Sequence, residues 1–237
     1  GDAFASWMDE EAINRLGVES IRPELAIVDG ITDRKSLAEA MARLQKVGVS
    51  APCGFAVRPD LRNSSVNAVY VGQSGITLPD RDYYLDMKNE NFNQAREALP
   101  GYIRNMLVAA GRDLVAAEAA ARTIVDMETA IAEAQWDKVK NRDTQARYNP
   151  VPVSGLTSFG ENFDWSVTLT TLGLGDADTL IVQQPDYFTA MDAMIAARSI
   201  EDWKDYLTFR VLDAFGDQLD SRTAAIRFEF RNRTLSG

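Results

Sequence analysis

Through most of this chain apolar residues recur every three or four positions, the spacing that gathers them on one face of a helix. Ala5, Met8, Ala12, Ile13 and Leu16 predict a helix over residues 2–16, stopped by Gly17. A second short helix is expected from Pro23 through residues 25–31. Thr32 or Asp33 then caps a third, whose inner face carries Leu37, Met41 and Leu44 as far as Gly48. Between Cys53 and Gln73 the spacing drops toward every second residue. Residues 55–58 and 67–71 are β-prone and are separated by the turn-forming Pro59, Asp60, Asn63 and Ser64, which predicts an antiparallel hairpin.

Helical spacing returns at Asn91, with Phe92, Ala95, Leu99, Tyr102, Ile103, Met106 and Leu107 on one face and Pro100 as an expected kink or break before Gly111. Residues 112–136 form the longest helix, striped by Leu114, Ala117, Ala121, Ile124, Ile131 and Gln135. A polar connection over residues 137–143 and the prolines Pro150 and Pro152 read as an ordered crossing loop whose Lys and Arg side chains form a solvated face. Phe163-Asp164-Trp165 starts another short helix, and residues 180–182 are extended. Pro185 opens a helix through Met191, Met194 and Ile195. Ser199 or Glu201 opens the last long one, with Trp203, Tyr206, Leu207, Val211, Leu212 and Phe215 inward, and residues 221–230 follow as a helix anchored by Phe228 and Phe230. The expected fold class is mainly α, a single multi-helix lobe over residues 1–237 with one short antiparallel β-hairpin at about 55–58 and 67–71. Its abrupt opening and ending make it read as a fragment of a longer polypeptide.

Composition narrows the function more by exclusion than by suggestion. A net charge of −10 without a Lys/Arg cluster argues against a nucleic-acid partner. No apolar run is long enough for a membrane-spanning helix. Histidine is absent, which removes Ser-His-Asp triads, Cys-His dyads and the His-containing zinc sites. Cys53 is the single cysteine, so the chain has no internal disulfide; beside Pro52 and Gly54 it reads as a small buried residue. P-loop, Gly-x-Gly-x-x-Gly and Gly-x-Ser-x-Gly motifs are missing as well.

Two features stand out from this background. Residues 73–85 set Arg81 and Asp82 in an apolar frame of Leu78, Tyr83, Tyr84 and Leu85, after a flexible Gly75 and a rigid Pro79, with Asp80 placed to cap the next turn. Glu128 interrupts the apolar stripe of the longest helix, so its carboxylate must be paired or pushed toward protonation. Both fit a structural joint, with Arg81 or Asp82 in a buried ion pair and Arg81 or Arg142 as partner for Glu128; an acid or base role for Glu128 is the functional alternative.

Residues 67–85, ending in Leu78-Pro79-x-Arg81-Asp82-Tyr83-Tyr84, resemble the most recognisable N-terminal motif of the neprilysin-like zinc metallopeptidases, which include neprilysin, endothelin-converting enzyme and the bacterial PepO-type endopeptidases. Three further blocks are similar in the same order: Trp7-Met8-Asp9 with Ile13 and Gly17; residues 127–132 with Trp136, Arg142-Asp143 and Tyr148-Asn149; and residues 203–212 with 228–237. That family holds its zinc with a His-Glu-x-x-His helix and a downstream Glu, which have no counterpart here. The resemblance implies most of the N-terminal helical lobe of a zinc metalloendopeptidase, with no catalytic or metal-binding residue of its own. It implies zinc in the parent enzyme, the missing catalytic domain of the same polypeptide as partner, and small peptides as substrates. In that setting the lobe faces the zinc domain across a cavity, restricts access to it and is inert alone. The implied location is extracytoplasmic, periplasmic or secreted, in a bacterium. A stand-alone helical module that binds proteins or peptides is the other reading.

Overall fold

Short polar side chains open most of the helices, by accepting hydrogen bonds from backbone N–H groups that have no partner within the helix. The computed structural model describes residues 10–235. Residues 2–9 of the first expected helix, with the Trp7-Met8-Asp9 block, lie outside them, as do residues 236 and 237. The described chain begins with α1 (Glu10–Leu16) and continues through α2 (Arg22–Asp29) to α3 (Arg34–Lys46). Asp33 and Ser36 close a reciprocal capping box at the start of α3.

Strands β1 (Cys53–Pro59) and β2 (Asn67–Gln73) form the expected hairpin, paired antiparallel from Cys53 opposite Gln73 to Pro59 opposite Asn67. The single turn α4 (Asp82–Leu85) leads to the two longest helices, α5 (Glu90–Ala109) and α6 (Leu114–Ala134). Strand β3 (Asn149–Pro152), α7 (Trp165–Leu172), β4 (Thr179–Val182), α8 (Pro185–Ala197), α9 (Ile200–Phe215) and α10 (Ser221–Phe228) complete the order, followed by an irregular helical turn, Glu229–Thr234. Asn89, Asp113, Asp164, Ser199 and Asp220 cap α5, α6, α7, α9 and α10 in the same way.

The fold is mainly α, and four expectations need correction. The hairpin is half of a four-stranded sheet ordered β1-β2-β4-β3, in which β4 runs parallel to β2 and antiparallel to β3. The Pro150 and Pro152 segment, expected as a loop, is the edge strand β3, where a missing N–H can face away from the ladder. Helix α5 runs unbroken through Pro100, because Leu99, Tyr102, Ile103, Met106 and Leu107 are buried around it and outweigh the roughly 3 kcal/mol an interior proline costs. Leu114 and Phe228, expected on buried faces, are 54% and 51% exposed.

Helix α6 packs against α5 on one side and α9 on another, and α3 packs against α7. The buried apolar side chains of these helices and of the central strands join one cluster that includes Leu44, Ile103, Met127, Phe188, Trp203 and Phe209. Cys53 lies in it, and burial pushes its thiol up to about 12, so it stays protonated at neutral pH.

Candidate functional site

The segment that leaves β2 is held from below by a buried polar network. Ser74 N donates to Pro52 O at 3.0 Å, and Gly75 then takes φ +91°, a conformation that favours glycine. The Tyr206 hydroxyl on α9 donates to the Gly75 carbonyl at 2.6 Å. Thr77 follows at the centre of the network. Its N–H and its hydroxyl donate to the two oxygens of Glu128 on α6, at 3.0 and 2.7 Å, and the Tyr84 hydroxyl on α4 adds a third bond at 2.5 Å. Tyr84 in turn accepts from Leu78 N at 3.1 Å. Tyr84 is therefore the bolt that fixes α4 to α6.

Charge balance comes from α9. The Arg210 guanidinium lies 3.6 Å from Glu128, donates to the Thr77 hydroxyl at 2.9 Å, and reaches Asp213 one turn further on at 3.9 Å. Asp213 accepts from the Tyr102 hydroxyl at 2.6 Å and pairs with Arg231, which also donates to Thr77 O at 2.8 Å. Two carboxylates and two guanidiniums thus tie α5, α6 and α9 and the C-terminal turn to one residue of the joint. Glu128 is fully buried and Arg210 nearly so.

Burial lifts the Glu128 carboxyl above the usual range, while Arg210 and the Thr77 and Tyr84 donors pull it back. Every group aimed at it donates, which is how an ionised carboxylate is solvated inside a protein. Burial acts on Asp213 in the same direction, but the Arg231 and Arg210 charges and the Tyr102 hydroxyl outweigh it and hold Asp213 below the usual value. The two groups oppose each other in their pH dependence. A raised carboxyl contributes stability that is lost as pH rises through its folded value. A depressed one contributes stability that is present above the ordinary value near 3.9 and is lost as pH falls through the folded value. Asp213→Asn is therefore expected to flatten the acid limb of a plot of unfolding free energy against pH below about 4. An unchanged slope there would show that Asp213 does not drive acid unfolding.

The sequence motif sits on top of this network, with a different division of labour from the one expected. Leu78 and Tyr84 are buried, Tyr83 stacks on Phe92 with ring centroids 4.1 Å apart, and Asp80 accepts from Asp82 N at 2.8 Å and pairs with Lys138 at 2.7 Å. Pro79 is exposed. Arg81 and Asp82 are half-buried and make no ion pair among the described residues, and Arg142 is exposed. The expected buried pair exists, but its cation is Arg210. The same reasoning that singled out Glu128 applies to Arg210, which interrupts the apolar face of its own helix seven residues after Trp203. Thr77, Asp213 and Arg231 gave no comparable signal. Arg81 lines a cleft of about 260 Å³ beside the joint, with Trp136, Lys138 and Gln135, and its Nε is buried without a hydrogen-bond partner. Arg81→Met is accordingly expected to change the unfolding free energy by less than about 1 kcal/mol in a denaturant titration. A loss of several would mean that Arg81 has a buried anionic partner.

A sequence model for the N-terminal part of peptidase family M13 matches residues 1–237. The chain belongs to peptidase family M13. Among M13 relatives, human endothelin-converting enzyme 1 is 28% identical over 174 residues, 70% of this chain and 22% of that enzyme. Mouse endothelin-converting enzyme-like 1 is 25% identical over 92% of this chain and 30% of its own length. The zinc metalloprotease ZMP1 of Mycobacterium tuberculosis, solved with an inhibitor, superimposes with a TM-score of 0.93 at 37% identity, covering 99% of this chain and 36% of that one. PepO from Lactobacillus rhamnosis shares the fold, with a TM-score of 0.72 at 15% identity. The chain spans about a third or less of each of these M13 proteins.

Proposed function

We propose that these residues form the non-catalytic, substrate-gating lobe of a zinc-dependent endopeptidase that cleaves small peptides. The observation that carries this reading is the whole-chain match to the N-terminal part of the family, together with coverage of only 36% of the ZMP1 chain at a TM-score of 0.93. The residues present do not fit a catalytic zinc. The sequence has no histidine, and among the described residues no group of three or more Cys, Asp or Glu side chains is placed to hold a metal. On this reading zinc, the attacking water and the peptide bond belong to the rest of the parent polypeptide, and this lobe acts by position. A rigid wall opposite a reaction centre excludes folded proteins and admits short, flexible chains, because only these can enter without unfolding. The ion-paired joint suits that task by holding the sheet and the long helices in one body.

The proposed setting is extracytoplasmic, in a bacterium. The test compares the 237-residue chain with the full gene product. The chain alone is expected to take up no stoichiometric zinc and to cleave no fluorogenic peptide, while the longer protein does both. Tight one-to-one zinc binding or peptidase activity by the 237 residues would overturn the proposal.

A further inference from the structure

A second cleft lies toward the turn end of the hairpin, away from the joint that follows β2, and its chemistry is unlike the rest of this acidic surface. It encloses about 310 Å³ between β1, β2, the end of β4 and the loop before β3, at the small end of the range of about 300–1,000 Å³ for ligand pockets. Arg58 and Arg147 both point their guanidiniums at one neutral atom, the amide oxygen of Gln183; Arg58 donates to it at 3.3 Å and Arg147 more closely. Neither the exposed Arg58 nor Arg147 has an ion-pair partner among the described residues; Arg147 also donates to the Asn141 carbonyl at 3.1 Å, and its Nε is buried without a hydrogen-bond partner. Elsewhere among the described residues Arg112, Arg198, Arg210 and Arg231 each face a carboxylate, whereas the half-buried Arg81 and Arg96 do not. The Gln183 side-chain amide packs closely over Gly72, where a Cβ would come within 2.7 Å of its nitrogen. Tyr70 is buried with Arg58 stacked 3.9 Å from its ring centroid, Tyr148 carries Arg62 4.3 Å from its own, and these rings with the exposed Leu61 make the apolar part of the lining.

Two like charges converging on a neutral acceptor leave a place for an anion, and planar guanidiniums match the two oxygens of a carboxylate. The nearest acid in the hairpin turn, Asp60, is engaged by Tyr148 and by the backbone N–H groups of Arg62 and Asn63. We propose that this cleft is a binding site for a small carboxylate ligand with a flat apolar body, held by Arg58 and Arg147, with that body against Tyr148 and Leu61 at the lip. The site stands apart from the joint and does not depend on the gating reading.

Benzoate is the probe, with benzamide as its neutral match, titrated into the chain and followed by calorimetry and by tyrosine ring signals in NMR. Benzoate is expected to bind one-to-one and benzamide at least about tenfold more weakly. Arg58→Met and Arg147→Met should each weaken benzoate about tenfold, while Arg142→Met, an exposed neighbour outside the cleft, leaves it unchanged. Gln183→Glu places a carboxylate between the two guanidiniums and should abolish benzoate binding while raising the unfolding midpoint, which tests the site even if Arg147→Met does not fold. Equal binding of benzoate and benzamide, no binding of either, or benzoate affinity indifferent to all three cleft substitutions would overturn the proposal.

Discussion

Replacing Arg210 with methionine is expected to lower the unfolding free energy of this chain by about 3–5 kcal/mol, the cost of breaking a buried pair from one side. The substitution leaves Glu128 fully buried with its countercharge gone, takes a donor from Thr77, and removes one of the cations that hold Asp213 ionised. Methionine keeps much of the volume, so the loss reports charge rather than a cavity. Replacing Glu128 with methionine in the same chain should recover only part of it, because the N–H and hydroxyl of Thr77 would then lose their acceptor. Denaturant unfolding of the two single variants and the double variant measures this coupling directly. A change below about 1 kcal/mol for Arg210→Met would show that the pair is solvated.

Gly75→Ala carries the second large effect. At φ +91° an alanine is strained by about 1–3 kcal/mol, and its Cβ would lie 2.7 Å from both Pro52 Cα and the Tyr206 hydroxyl. Neither neighbour yields easily, since one is backbone and the other is fixed by its bond to the Gly75 carbonyl. Overpacking of this kind adds about 1–3 kcal/mol, so a loss of roughly 2–6 kcal/mol is expected in the same titration. Gly48→Ala is the control. Gly48 has φ +88° with nothing within 4 Å of a built Cβ, so it should show only the strain. Equal losses at the two positions would mean that the joint has room to move.

Much of the helical framework was legible because its signals are local. Asp33, Ser199 and the apolar spacing of the long helices are read within a few turns, and each places an element without reference to the rest of the chain. The hairpin was legible for the same reason, as two alternating runs around a turn. The sheet that contains it was not: residues 180–182 were expected to be extended, as β4 is, but its pairing partners lie far away in sequence, and β3 is four residues long with two prolines. Pro100 misled in the opposite direction: a local breaker was overruled by the burial of the residues around it.

At the joint the division is sharper. By itself the sequence determined that residues 73–85 end a strand, turn at Gly75 and start a capped helical turn, and that Glu128 must be compensated, since a carboxylate on an apolar stripe cannot stay ionised in the core alone. Only the tertiary structure decided what compensates it. Arg210 meets Thr77 across 133 positions of sequence, brought there by the packing of α9 on α6. Arg81, close by in the sequence and rightly charged, is left facing a cleft. Period and propensity report which face of an element is buried, but the partner of a buried charge is set by which faces meet, and that is decided only when the whole core closes.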